Sequence, residues 1–170
     1  QQAVRSLKFS SVPVIGAPSG MAIGGGFEVL LHSDKIIAHT NSVLGLVESG
    51  VGLIPGGGGV KETYLRCLTQ LKNSNDAAWK TWMQIGYGQT GTSPEKSAEL
   101  FYFLPERDQT EMNRDYLINA GIALIKEINQ MGYKKPQPQT IKLPGNSIIN
   151  KMEEFMDNGI EKGLFYPHDK

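Results

Sequence analysis

Residues 12–39, VPVIGAPSGMAIGGGFEVLLHSDKIIAH, carry the pattern that decides the fold. The short apolar runs at 12–17 and 35–39 each predict a buried strand. Between them, the segment that starts at Gly25 predicts a short helix with one apolar side. Strand, helix and strand in this order are typical of a βαβ layer, so the sequence predicts an α/β fold.

Glycine is concentrated around this segment. The chain has 20 glycines, and 12 of them fall between Gly16 and Gly59. Residues 24–26 are all glycine and lie at the predicted helix start, where backbone N–H groups are unpaired and the helix dipole favours negative charge. Because glycine lets a ligand approach the backbone closely, this helix start is suited to an anion or an oxyanion.

Two phosphate-binding motifs are excluded by their spacing. A P-loop requires GxxxxGK[ST], but in GGGGVKET (56–63) the lysine, Lys61, comes one residue late. The dinucleotide-binding motif GxGxxG is matched by neither glycine cluster. The sequence therefore favours an oxyanion-type site.

Two glutamates lie beside the glycine-rich segments. Glu28 follows the 24–26 run by two residues, and by itself it is typical of a solvated acid in the first turn of a helix. Glu48 follows the apolar pair Leu46 and Val47, which predicts a partly buried carboxylate. Each glutamate alone has an ordinary structural explanation, whereas the two together have the composition of an acid–base pair.

From residue 74 the pattern becomes helical. Capping residues and apolar periodicity predict helices within 73–86, 93–100, 110–133 and 146–163. The segment 134–145 contains three prolines and predicts an extended connector. We therefore divide the chain into a mixed segment (1–73), a helical region (74–133), the connector (134–145) and a terminal helix with its tail (146–170).

Composition limits the class of protein. The 17 basic and 17 acidic residues balance, which argues against a nucleic-acid-binding or membrane-surface protein. No apolar run approaches the ~18 residues of a membrane span. The single cysteine, Cys67, excludes an intrachain disulfide and is typical of a reducing cytoplasm, which is the predicted location. His32, His39 and His168 lack the spacing of metal ligands, so no metal site is predicted.

Residues 12–59, from VPVIGAPSGMAIGGGFE to LVESGVGLIPGGGG, resemble the signature of the crotonase (enoyl-CoA hydratase/isomerase) superfamily. Residues 91–133 resemble the corresponding part of hydratase modules attached to 3-hydroxyacyl-CoA dehydrogenases. The resemblance implies that 1–73 form the C-terminal part of a crotonase-like ββα-spiral core, followed by a helical region.

The resemblance also implies a reaction and a site. In this family two backbone N–H groups hold a thioester carbonyl, and one of these donors corresponds to Gly25. Glu28 corresponds to the base that activates water, and Glu48 to the acid that protonates the α-carbon. The implied reaction is hydration of a trans-2-enoyl-CoA to a 3-hydroxyacyl-CoA in fatty-acid β-oxidation. The residues expected to line the substrate are Met21, Gly24, Gly25, Val47 and Val51.

Two departures from the family pattern leave alternatives open. Val47 stands where many hydratases have proline, and the N-terminal half that supplies the second oxyanion donor and most of the CoA pocket is absent from these 170 residues. Loss of one such donor costs about 10²–10³ in rate. The chain is therefore either part of a hydratase or a catalytically silent fragment that depends on assembly. An isomerase or acyl-CoA hydrolase on the same scaffold is the third alternative.

The implied partners follow from the same resemblance. They are an acyl-CoA thioester and either the missing N-terminal half or a fused dehydrogenase domain. The apolar surface that such a half would cover predicts self-association. Hydration needs no metal or redox cofactor, and NAD would serve only a fused dehydrogenase.

Overall fold

A computed structural model describes residues 1–170 and shows short strands between seven α-helices. The helices are α1 (Gln2–Lys8), α2 (Gly25–Leu31), α3 (Gly59–Leu71), α4 (Ser74–Gly86), α5 (Pro94–Glu99), α6 (Leu117–Gln130) and α7 (Asn146–Glu161). The strands are β1 (Ile15–Gly16), β2 (Met21–Ile23), β3 (Lys35–His39), β4 (Val43–Gly45), β5 (Thr90–Gly91) and β6 (Gln109–Glu111). Short 3₁₀ helices cover Glu48–Val51, Arg114–Tyr116 and Pro167–Asp169. No helix is both long enough and apolar enough to cross a membrane.

The six strands form two small sheets of three strands each. One sheet has the order β1-β3-β6 and is parallel throughout. In the other, β2 runs parallel to β4, and β5 closes the edge antiparallel to β4. Because α2 follows β2 directly, its first turn lies at the end of a strand that is already fixed by pairing with β4. The expected α/β class is confirmed.

Strand β3 lies between two apolar clusters. Ile36 belongs to the main core, whereas Ile37 packs on Leu117 and Leu124 of α6. A strand buried on both faces requires a continuous apolar run, which the sequence of β3 supplies. The buried members of the main core are Phe27, Leu30, Leu31, Ile36, Ala38, Leu44, Leu46, Ile85, Tyr102 and Phe103.

Local capping signals place two helices as the sequence predicts. The Asn73 side chain accepts hydrogen bonds from the backbone N–H groups of Asn75 and Asp76 and so caps α4. Ser93 caps α5 by accepting from Lys96 N–H, with proline at the first helical position. These termini are fixed by contacts within one helical turn, so sequence alone identifies them.

The prediction of one helix over 110–133 is wrong in its first part. Residues Gln109–Glu111 form β6, which pairs with β3, and α6 begins only at Leu117. The reason is Asp108, a buried residue whose carboxylate accepts hydrogen bonds from Ile36 N–H of β3 and from Leu104 N–H. This link between distant segments fixes the approach of β6 and overrides helical periodicity. β5 and β6 thus join the region 74–133 to the strands of the first segment.

The last helix docks on α4 through aromatic side chains. Trp79 and Trp82 of α4 have ring centroids 5.3 Å apart, and Phe155 of α7 contacts both edge-on at 5.6 and 5.5 Å. Lys151 adds a cation–π contact over Trp79 at 4.1 Å. We call Trp79, Trp82 and Phe155 the aromatic dock.

Candidate active site

The glycine run at 24–26 forms the start of α2, and its three members have different reasons to be glycine. Gly24 has a φ of 55°, a left-handed conformation that favours glycine, and its N–H donates to the Gly45 carbonyl of β4 at 2.9 Å. At Gly25 and Gly26, by contrast, an added Cβ would meet no atom within 4 Å. The protein's own packing therefore does not require glycine at these two positions.

The N-terminus of α2 is open to solvent. Gly25 and Gly26 are exposed, and no side chain caps the helix. The first intrahelical bond is donated by Glu28 N–H to the Gly24 carbonyl, so the N–H groups before it have no partner within the helix. Small residues, unpaired donors and open space together make this turn suited to an incoming oxyanion.

Glu28 is buried rather than solvated, because the second glycine cluster binds its carboxylate. Gly57 N–H lies 2.8 and 2.9 Å from the two carboxylate oxygens, and Gly59 N–H donates to Oε1 at 2.8 Å. Glu28 is only 5% exposed. A Cβ at Gly57 would lie 2.6 Å from Glu28 Oε2, and one at Gly59 would lie 2.9 Å from Oε1. The glycines of the second cluster are thus required by the carboxylate that they bind.

Glu48 reaches the same turn from another segment. It begins the 3₁₀ helix that follows β4, and its Oε1 lies 3.5 Å from the position of a Cβ built on Gly24. Its other oxygen, Oε2, is buried without a hydrogen-bond partner. The structure therefore brings both glutamates to the start of α2, Glu28 from the helix itself and Glu48 across the Gly24 turn.

The predicted substrate-lining residues divide into two groups. Gly24 is buried and Val47 is half-buried, whereas Met21 and Val51 are each 75% exposed. Two further exposed apolar residues that the sequence pattern did not single out, Leu53 and Ile54, lie in the loop before the second glycine cluster. We call Met21, Val51, Leu53 and Ile54 the apolar rim, because they lie on the segments that lead to Gly24 and away from Glu48.

A buried cluster of polar and charged side chains, which includes His32 and Glu62, adjoins the backbone of Glu28. His32, at the end of α2, contacts the Glu28 carbonyl through Nδ1 at 2.7 Å, and its Nε2 lies 3.7 Å from Glu62 Oε1. Burial raises the pKa of Glu62, but hydrogen bonds from Lys61 and Lys8 outweigh it and hold the pKa below its ordinary value. The cluster ties α1, α2 and α3 together. Sequence reasoning gave His32 no specific role, and only its burial beside Glu62 would have revealed one.

One cavity lies away from the glutamates. It is an open space of about 500 Å³ between α1 and the connector, lined among others by Arg5, Phe9 and Lys135. Elsewhere, no group of three His, Cys, Asp or Glu side chains is arranged to hold a metal ion.

Comparison with known proteins identifies the first part of the chain. Residues 1–74 match the model of a family described as enoyl-CoA hydratase/isomerase. A Bacillus subtilis protein named "Probable 3-hydroxyacyl-CoA dehydrogenase" is 37% identical over 147 residues, which cover 86% of this chain and 18% of that protein. A Rickettsia prowazekii protein named as a fatty acid oxidation complex trifunctional enzyme is 32% identical over 163 residues, covering 95% of this chain and 21% of that protein.

Solved structures show the same fold. The crystal structure of enoyl-CoA hydratase from Bacillus anthracis superimposes with a TM-score of 0.61 at 22% sequence identity, covering 94% of this chain and 51% of that one. The chain spans about a fifth of the length of the curated relatives that it matches.

Proposed function

Residues 1–74 belong to the enoyl-CoA hydratase/isomerase family, and from this premise we propose that the chain takes part in the hydration of a trans-2-enoyl-CoA to a 3-hydroxyacyl-CoA. The observation that carries the proposal is that Glu28 and Glu48 both adjoin one glycine turn whose outer face is open. A hydratase needs an acid, a base and an oxyanion donor around one reacting carbon pair, and this turn offers all three.

Gly25 N–H is the proposed oxyanion donor. It lies in the first turn of an uncapped helix, where the dipole favours negative charge. Addition of water to the double bond places negative charge on the thioester oxygen in the enolate that forms. A donor aimed at this charge stabilises the transition state more than the ground state, which is the condition for faster reaction. The absence of a side chain at Gly25 and Gly26 leaves room for the thioester.

The two glutamates have different environments that match different roles. The Glu28 carboxylate accepts from Gly57 N–H and Gly59 N–H, which fixes its position, and we assign it the role of the base that takes a proton from water. Glu48 Oε2 is buried without a hydrogen-bond partner, and we assign Glu48 the role of the acid. In the proposed step the water oxygen bonds to C3, its proton passes to Glu28, and Glu48 delivers a proton to C2.

The apolar rim is the proposed contact for the acyl chain. Met21 and Val51 are each 75% exposed, and Ile54 is 79% exposed. Covering such side chains with a hydrocarbon chain removes apolar surface from water and contributes roughly 25 cal/mol per Å². The rim is open, so it contacts one side of a substrate and the remainder requires another surface.

The burial of Glu28 and the openness of the rim favour a second candidate function. In this alternative the chain is an assembly-dependent part of a larger protein, and a further segment or a dehydrogenase domain completes the pocket. This alternative is supported by the coverage of the relatives, because the chain spans only about a fifth of their length. The two candidates differ in whether the 170 residues alone turn over substrate.

The test is hydration of crotonyl-CoA by the purified chain, followed by loss of the enoyl-thioester absorbance. We expect slow turnover, and Glu28→Gln and Glu48→Gln should each lower kcat by about 10²-fold or more. Glu99→Gln, on the exposed face of α5, is the matched control and should leave the rate unchanged.

Each outcome selects one alternative. Binding of the thioester without turnover supports the assembly-dependent candidate. Release of free CoA thiol instead of a hydroxyacyl product indicates a hydrolase, and an absence of both binding and turnover overturns the proposal.

A further inference from the structure

His32 lies where α2 ends, and its imidazole replaces a backbone hydrogen bond of the helix. In a regular helix the Glu28 carbonyl would accept from the backbone N–H of His32, four residues later. That N–H donates instead to the Val29 carbonyl at 3.1 Å, and His32 Nδ1 lies 2.7 Å from the Glu28 carbonyl oxygen. Because a carbonyl oxygen only accepts, Nδ1 carries the ring proton and donates it.

Another part of the same ring lies against the second glycine cluster. A Cβ built on Gly58 would lie 3.2 Å from both Cε1 and Nε2 of His32. Gly58 stands between Gly57 and Gly59, whose backbone N–H groups bind the Glu28 carboxylate. His32 is 3% exposed, so packing restricts the ring to this position. One imidazole therefore contacts both the main chain of Glu28 and the loop that binds its carboxylate.

Glu62 faces the second nitrogen of the ring. Its Oε1 lies 3.7 Å from His32 Nε2, and its backbone N–H donates to the Gly58 carbonyl at 3.0 Å. Lys8 Nζ donates to the other carboxylate oxygen of Glu62 at 2.8 Å and so restrains this carboxylate. These contacts join the end of the helix that carries Glu28 to the helix that begins in the second glycine cluster.

We propose that His32 is a positioning residue for Glu28, holding the end of α2 against the loop at Gly58 so that the Glu28 carboxylate stays on its two backbone donors. His32 is buried and acts only through Glu28. A proton-transfer group that shifts from its place loses rate, because the reaction depends on its alignment with the reacting atoms. This consequence for catalysis rests on the proposed function, whereas the positioning is a property of the folded chain.

The first experiment is ¹⁵N NMR of the imidazole nitrogens in the 170-residue chain at about pH 8.5, where an ordinary histidine is neutral. We expect His32 to carry its proton on Nδ1. His39 is the matched reference, because its Nδ1 accepts from Asn41 N–H at 3.3 Å, which places its ring proton on Nε2. The variant His39→Asn identifies the reference signals by their loss. An unprotonated Nδ1 in His32 overturns the inference.

The second experiment is hydrogen exchange in His32→Asn. The asparagine amide keeps a donor near the Glu28 carbonyl but lacks the ring atoms that face Gly58. We expect the amides of Gly57 and Gly59 to exchange about tenfold faster, relative to the slow amides of β3, because the carboxylate that protects them becomes mobile.

Two results would contradict the positioning role. One is unchanged exchange at Gly57 and Gly59 in His32→Asn. The other is exchange that is faster by the same factor at every slow amide, since a histidine that only stabilises the fold lowers protection everywhere. His39→Asn is the control variant and should leave the two glycine amides unchanged. If His32→Asn fails to fold, the protonation of Nδ1 in the wild-type chain decides.

The kinetic consequence is measured separately. Where the chain turns over crotonyl-CoA, His32→Asn should lower kcat by about tenfold with KM changed by less than about twofold, because Glu28 is assigned to proton transfer and not to binding. A rise in KM at unchanged kcat would contradict a role through Glu28. Failure of the wild-type chain to hydrate crotonyl-CoA counts against the proposed function alone, since the NMR and exchange results do not depend on turnover.

Discussion

The glycine-rich edge at 24–59 and the aromatic dock between α4 and α7 are held together by different physics. At the glycine edge, one buried carboxylate accepts from two backbone N–H groups, and a Cβ at Gly57 would lie 2.6 Å from it. At the dock, three aromatic rings pack at 5.3 to 5.6 Å without a hydrogen bond among them. Directional bonds fix geometry and tolerate little change, whereas aromatic packing contributes stability and tolerates adjustment.

The sharpest test of this contrast is Gly57→Ala. The new methyl group would displace the Glu28 carboxylate from its donors, so we expect a loss of about 2–3 kcal/mol in the free energy of unfolding. Urea denaturation measures this change in the free energy of unfolding. Gly25→Ala is the matched control, because nothing lies within 4 Å of its added Cβ, and it should change stability by less than about 0.5 kcal/mol. Equal losses in the two variants would contradict the assigned role of Glu28.

A substitution in the aromatic dock should lower the free energy of unfolding by less than Gly57→Ala does. Phe155→Ala removes two edge-on contacts from a half-buried ring, and we expect a loss of about 1–2 kcal/mol in the free energy of unfolding. Tryptophan fluorescence should shift to the red as Trp79 and Trp82 become solvated. Because the ring contacts of the dock involve neither glutamate nor the glycine run, turnover of crotonyl-CoA should stay at the wild-type level. A larger loss than that of Gly57→Ala would reverse the proposed ranking of the two regions.

The smallest change in the free energy of unfolding is expected at the ion pair formed by Lys8 and Glu62. Lys8 Nζ lies 2.8 Å from the buried Glu62 carboxylate, and Lys8→Met should cost about 1 kcal/mol at pH 7. Since the folded state holds the pKa of Glu62 below its ordinary value of 4.5, this stabilisation is fully present above pH 4.5 and is lost as pH falls through the lower, folded-state pKa. Urea melts of both proteins from pH 7 down to pH 3 should therefore converge in acid. A difference that is constant with pH would show that Glu62 does not carry the effect.

Elements defined by local signals were predicted closely. The cap at Asn73, the Ser93–Pro94 start and the buried run of β3 each depend on residues within a few positions of one another. β6 was missed, because it depends on Asp108, which lies 72 residues from its partner Ile36. The residue pattern at 110–116 is compatible with a helix, but Gln109–Glu111 form a strand by pairing with β3.

For the candidate site, the sequence by itself singled out the residues that we propose carry the chemistry: the run at 24–26, Glu28 and Glu48. The stretch that matches the enoyl-CoA hydratase/isomerase family model, residues 1–74, contains these positions. Residue type and spacing suffice for this, because a helix start that is free of side chains needs glycine and proton transfer needs a carboxyl group.

Only the tertiary structure decided the burial and the hydrogen-bond partners of these residues. It buries Glu28 against Gly57 and Gly59, which lie 29 and 31 positions away in the chain. It also leaves Glu48 Oε2 and the Tyr102 hydroxyl unpaired on neighbouring segments. The physical reason is that burial and hydrogen-bond partners are set by packing between distant elements, and a carboxylate bound by backbone donors differs from one without them although both are glutamate.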